Sequence, residues 1–179
     1  MKKNEFALEA LNKNSKINKI DINLHEVCKS ICKITCSTKI ATGFFIKLYK
    51  DEKELLCLMT NEHVIKKKFI ESNFIIDIRY NYEKAWKQIK LDKNKRYIES
   101  NLKMDFTIVE IIPEDNIKEK YFLLPNINNI NFLKENIFIV QFPLGNDLCY
   151  SEGKIKRING YNLVYDAIQK KDHQEVQYF

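Results

Sequence analysis

Glycine and proline are both scarce in this chain, at four and three residues among 179. Turns normally consume both, so a strand-rich reading has to find its turn chemistry elsewhere. Asparagine supplies it, in the stretch 126–131 and at Asn146 and Asn159. Arginine is rarer still, confined to Arg79, Arg96 and Arg157, although the formal charge is +6. The positive charge is therefore almost all lysine. Sequence-specific nucleic-acid contacts favour the bidentate fork of arginine, so nucleic acid is not the expected partner. No apolar run reaches the roughly 20 residues needed to span a membrane. Met1-Lys2-Lys3 leads into Asn4 and Glu5 with no continuous apolar segment, which argues against a secretory leader. The five cysteines are an odd number. A thiol-reduced, cytoplasmic protein is the expectation.

What the chain does have is apolar content: 45% hydrophobic and 12% aromatic residues, enough for a globular core rather than disorder. His25, Cys28, Cys32 and Cys36 form a series that invites a zinc reading. On one helix they would spread over roughly 16 Å at about 1.5 Å per residue, and further on a strand. Four ligands on one straight element do not converge on a tetrahedral ion. No metal or other cofactor is expected. The alternative is a helical turn near Leu24–Lys29 followed by a strand, Ile31–Cys36. In that strand Cys32, Ile34 and Cys36 face the core, alternating with Lys33, Thr35 and Ser37.

Further strands are expected over Ala41–Leu48, Leu55–Thr60, Phe74–Tyr80, Trp86–Leu91 and Asp105–Ile112. Tyr49–Glu54 is read as the turn of a hairpin, and Asp92–Lys95 as an exposed turn. Residues 1–27 read as a lead-in with a short helix, one stretch of it around Glu5–Leu11. Phe122, Leu123, Leu124 and Pro125 are expected to dock on the preceding strands within a linker, 113–136. Ile137–Phe142, Leu148–Ile158 and Leu163–Tyr165 would be strands of a second unit, 137–179.

Thr60-Asn61-Glu62-His63-Val64-Ile65 stands out, because it ends an apolar strand in a short polar turn that presents a histidine. Upstream lies Ala41-Thr42-Gly43-Phe44-Phe45-Ile46. Downstream, Asp105-Phe106-Thr107-Ile108-Val109 sets an aspartate at the opening of another apolar strand. Val140-Gln141-Phe142-Pro143-Leu144-Gly145 and Ser151-Glu152-Gly153-Lys154-Ile155 follow. In this order the pieces, over about residues 28–166, resemble the trypsin-like (chymotrypsin-fold) serine peptidases. That family writes Gly-x-Gly-Phe, Thr-x-x-His-Val, Asp-Phe/Ile-x-Ile/Leu/Val, Gly-Tyr-Pro-x-Gly and Ser-x-Gly-x-Ile. Ala41 stands where the family has its first glycine.

The resemblance implies an all-β double barrel, the first barrel complete over 28–112 and the second partial. It implies His63 as general base and Asp105 as the acid that orients it. Asp77 and Asp92 lie on or beside neighbouring strands, but neither opens an apolar strand in the family's manner. The family's next motif, Gly-x-Ser-Gly, carries the nucleophile and the oxyanion hole, and no such tetrapeptide occurs here. Ser151 and Cys149 lack the surrounding turn, and Cys57 reads as core packing. The expectation is a serine-type endopeptidase unit cut short before its nucleophile and inactive as it stands, acting on or binding peptide or protein. The alternative is a noncatalytic module that recruits an extended strand from another protein.

Overall fold

The computed structural model describes residues 20–80, 85–125, 132–159 and 162–166. The proposed helix around Glu5–Leu11, the asparagine stretch 126–131 and everything after Asp166 lie outside them. A nine-residue helix, α1 (Ile20–Cys28), leads into β1 (Ile31–Cys36). Cys32, Ile34 and Cys36 are completely buried, as the alternation predicts. The hairpin of β2 (Lys39–Lys50) and β3 (Lys53–Thr60) is longer and tighter than the sequence indicated. Only Asp51 and Glu52 form its turn, both with positive φ of 48° and 64°. Two such residues match the twist of the flanking strands, which lets the ladder run to Lys50↔Lys53.

After β3 come a short helix, α2 (Lys67–Glu71), then β4 (Ile75–Tyr80) and β5 (Lys87–Lys90). Trp86, expected in β5, precedes it and is exposed. The next strand, β6 (Ile98–Asn101), was not legible, because it is short, polar and half-buried. β7 (Phe106–Glu110) follows. All seven pair antiparallel in the order β5-β4-β1-β2-β3-β7-β6. The sheet curls around one core that includes Phe45, Leu58, Val64, Ile65, Ile76, Ile78, Ile89 and Val109. Phe45 meets Tyr80 edge-on and tilts against Phe122, with ring centroids 5.0 and 5.3 Å away.

No ladder joins the edge strands β5 and β6 among the described residues. Arg96, in the connection between them, ties the gap instead. Its guanidinium donates to both carboxylate oxygens of Asp115 (2.8 and 3.1 Å) and to the Glu110 carbonyl (2.9 Å). The carboxylate of Asp115 also accepts from the backbone of Ile112, and that of Glu110 from Tyr97. Asp92 belongs to this closure too: it is nearly buried and accepts from the Asn94 backbone, so only the rest of the Asp92–Lys95 turn is exposed.

The linker docks in part. Phe122 is buried, and Leu123 bonds through its backbone to Phe45 and Lys47. Leu124, two residues after Phe122, is 72% exposed, so the docking stops at Leu123. A second, three-stranded antiparallel sheet follows: β8 (Asn136–Gln141), β9 (Cys149–Asn159) and β10 (Asn162–Tyr165), in the order β10-β9-β8. It joins the first sheet through the segment 142–145. Phe142 donates its backbone N–H to Thr42 Oγ1 at 2.9 Å, and Lys33 donates to the Gly145 carbonyl while sitting over the Phe142 ring. Lys33 was expected on a solvent face. It is buried because this segment covers the outer face of β1, and burial lowers its pKa.

Candidate functional site

β3 and β7 are antiparallel neighbours, with Thr60 opposite Thr107. The turn that leaves β3 therefore lies beside the residues that enter β7. This brings His63 and Asp105, 42 residues apart in sequence, into contact. His63 Nδ1 is 2.6 Å from Asp105 Oδ2, and the backbone N–H of His63 donates to Oδ1 at 3.0 Å. A carboxylate only accepts, so the ring donates from Nδ1, and in the neutral ring Nε2 then carries the lone pair.

Asp105 has φ of 50°. Aspartate enters the left-handed region more readily than most residues, so the bend before β7 is inexpensive here. Asn61 completes the support. Its Nδ2 donates to Asp105 Oδ2 at 3.1 Å and to the Asp105 carbonyl at 3.2 Å. The motif order points to His63 and Asp105 but not to Asn61, whose only signal in the sequence is an amide in a polar turn. The turn itself is held by bonds from Val64 N and Ile65 N to the Asn61 carbonyl. Lys39 Nζ donates to the His63 carbonyl at 2.8 Å, and Thr107 Oγ1 to that of Ile65 at 2.9 Å. Every atom that sets the imidazole is thus tied to β2, β3 or β7.

The far side of the ring differs. Nε2 is buried and has no hydrogen-bond partner among the described residues. Asp77 and Asp92 are elsewhere, the first accepting from Gln88 and the second from Asn94. Ser151 lies in β9 opposite Ile139, its Oγ buried without a partner, and Cys149 donates to the Asp147 carbonyl. Among the described residues, no hydrogen bond connects either to His63. Cys57 is core, as expected, with its thiol pushed up to about 12 by burial and the nearby Glu110 charge. His25 and Cys28 are on α1 while Cys32 and Cys36 are on β1, and no metal-binding group of three or more His, Cys, Asp or Glu occurs among the described residues.

Gly43 explains the one departure in the upstream motif. A Cβ there would come within 2.4 Å of Ile34 Cδ1 and 3.1 Å of the Met59 carbonyl, so a side chain fits only if Ile34 and the strand give way. Ala41, two residues earlier on the same face, is buried opposite Ile34 with room for its methyl group.

No protein-family profile matches the chain, and no curated protein matches it. Solved structures do. The inactive form of the Rv3671c protease superimposes with a TM-score of 0.53 at 15% identity, over 80% of this chain and 61% of that one. A serine endoprotease from Yersinia pestis gives 0.55 at 11% identity, over 80% of this chain and 46% of that one. The fold is that of the trypsin-like serine peptidases. This chain spans less than two thirds of either neighbour. No helix among the described residues is long and apolar enough to cross a membrane.

Proposed function

We propose that this chain carries the base-and-acid half of a serine-type endopeptidase site. His63 is the general base and Asp105 orients it. The observation that carries this reading is the pair of bonds from the His63 ring and backbone to one carboxylate, with Nε2 left unpaired. In such a site Nε2 takes the proton of an attacking hydroxyl. Asp105 stabilises the imidazolium that results, and the base later returns the proton to the leaving amine.

The nucleophile and the oxyanion donors are not supplied by these residues. Loss of the serine from such a unit costs on the order of 10⁶ in turnover, so the 179-residue chain by itself hydrolyses peptides at background rate. Its ligand class is peptide or protein, which agrees with the serine proteases among its structural neighbours. A reducing, cytoplasmic setting accords with free thiols at Cys32, Cys36, Cys57 and Cys149.

The ¹⁵N shifts of the His63 ring test the reading. The expected spectrum has the proton on Nδ1 in the neutral form, and Asp105→Asn moves it to Nε2. A proton on Nε2 in the unmodified protein removes the general-base assignment. Peptide hydrolysis abolished by His63→Ala would instead overturn the claim that the chain lacks a nucleophile. The second reading, a noncatalytic module that accepts an extended strand, draws on β8, whose outer side has no strand against it among the described residues.

A further inference from the structure

The turn that carries His63 runs straight into three lysines, Lys66, Lys67 and Lys68. Lys67 and Lys68 are exposed, and Lys66 is half-buried at the start of α2. Lys39, the first residue of β2, donates from Nζ to the His63 carbonyl at 2.8 Å, so a fourth ammonium lies beside the turn. The charges of Lys39 and Lys68 both reach the Cys36 thiol, which sets these two lysines around one point. Lys103, exposed in the turn before β7, stands two residues ahead of Asp105. The acids of the same region are already committed. Glu62 is buried, and its Oε1 accepts the backbone N–H of Lys67 at 3.3 Å. Asp105 holds His63 and Asn61. Glu71 stands 3.8 Å from Lys67. Among the described residues, no carboxylate pairs with Lys39, Lys66, Lys68 or Lys103.

From this rim of lysines we propose that the candidate site takes a peptide or protein ligand that is acidic where it lies against the His63 turn. The class of ligand rests on the peptidase reading of His63 and Asp105; its charge rests on the lysines. Ammonium groups without acid partners, set around one turn, raise the local concentration of anions and speed the approach of an oppositely charged chain. Like charges so placed also repel one another, and an acidic segment relieves that repulsion as it settles among them. A peptide fits this surface better than nucleic acid does, for two reasons. Lysine offers a compact charge without the planar fork with which arginine reads phosphates and bases. The aromatic ring next to the lysine run is not presented for stacking on a base either. Phe69 is half-buried against the core and tilts onto Phe74, with ring centroids 5.0 Å apart. A carboxylate on a flexible side chain needs only a point charge within its reach.

Fluorescence anisotropy of the full chain with two labelled peptides tests this, one alternating Glu and Ala and the other alternating Gln and Ala. At low salt the Glu peptide is expected to bind about 10-fold tighter or more, and the difference should vanish near about 1 M salt, where the screening length is about 3 Å. Lys66→Gln combined with Lys68→Gln is expected to weaken the Glu peptide about fivefold to tenfold. Lys93 and Lys95 are exposed near the other end of β7, where Arg96 bonds the Glu110 carbonyl. Lys93→Gln combined with Lys95→Gln should change the affinity less than about twofold. None of these four side chains is buried, so both double variants are expected to keep the circular dichroism of the parent. Equal affinity for the two peptides overturns the proposal. Equal weakening by the two double variants does the same, because the attraction would then belong to the net charge of +6 and not to the rim. A thymidylate oligonucleotide that displaces the Glu peptide and depends on Lys66 and Lys68 makes the rim a nucleic-acid surface, and the peptide ligand falls. The His63 ring shifts are read separately. A proton on Nδ1 without preference for the Glu peptide removes only the acidic ligand; a proton on Nε2 with the preference intact removes only the peptidase reading.

Discussion

The seven-stranded and three-stranded sheets use similar strands, apolar residues alternating with polar ones, but they end in different states. In the first, Phe45 is sealed between Tyr80 and Phe122, and the gap between edge strands is tied by Arg96. In the second, Phe138 sits partly in water on a strand with no outer neighbour among the described residues. The difference lies in how many sides of each strand are covered, not in strand propensity. The candidate site belongs to the first kind of region. His63, Asp105 and Asn61 are held by the β3–β7 junction, and their geometry requires nothing from the second sheet. Nε2 of His63, by contrast, is buried with no hydrogen-bond partner among the described residues.

Two phenylalanines give the strongest way to break the comparison. Phe45→Ala opens a cavity in the sealed core and is expected to cost about 3–5 kcal/mol. Phe138→Ala should cost less than about 1 kcal/mol, as for other partly exposed positions. Chemical denaturation of both variants checks this, and equal costs would mean that the two sheets are equally consolidated. Arg96→Ala comes next. It strands the buried Asp115 carboxylate, for which about 3 kcal/mol is expected. Hydrogen exchange should then quicken in β5 and β6 before it does in β1 and β2; uniform quickening would deny Arg96 its role at the sheet edges.

Gly43→Ala drives a methyl group toward Ile34 and the Met59 carbonyl, with an expected loss of about 1–3 kcal/mol. Ala41→Gly, at the neighbouring motif position, should change the melting temperature much less. Asn61→Ala removes the amide that holds Asp105 and is expected to cost about 1–2 kcal/mol. The same variant should broaden the His63 ring signals, and an unchanged spectrum would leave Asn61 without a positioning role.

A further effect is one of pH. Burial raises the thiols of Cys36 and Cys57 from 9.0 to about 11 and about 12. The unfolded chain loses these protons first, so their contribution is whole below about pH 9 and is lost as pH rises towards 11 and 12. Stability should decline over that window, and less steeply in Cys57→Ala. An unchanged slope would mean that Cys57 is not sealed in the first core.

Most strands were readable from the sequence because alternation is a local signal. β1, β3, β4, β8 and β9 lie within a residue or two of the runs that announce them. The misses have a common cause. β6 is too short and polar to show a period, and Asp51 and Glu52 shorten a turn through backbone angles that their side chains do not advertise. Lys33 looked like a surface residue because the segment that buries it comes 112 positions later. Within the site, His63 and Asp105 were legible through motif order, whereas Asn61 was not. Its partner lies 44 residues away and is reached only when β3 and β7 pair.

By itself, then, the sequence determined the strand-rich class, the inward face of each clear strand and the candidate base and acid. The first two follow from side-chain periodicity, which operates over a few residues, and the last from the order of motifs that resemble those of the peptidase family. Tertiary structure alone decided that one carboxylate meets the ring and backbone of His63, that Arg96 ties the open seam and that β8 ends the second sheet among the described residues. Those outcomes depend on which strands become neighbours, and contacts across a sheet are set by the whole chain's burial of its core.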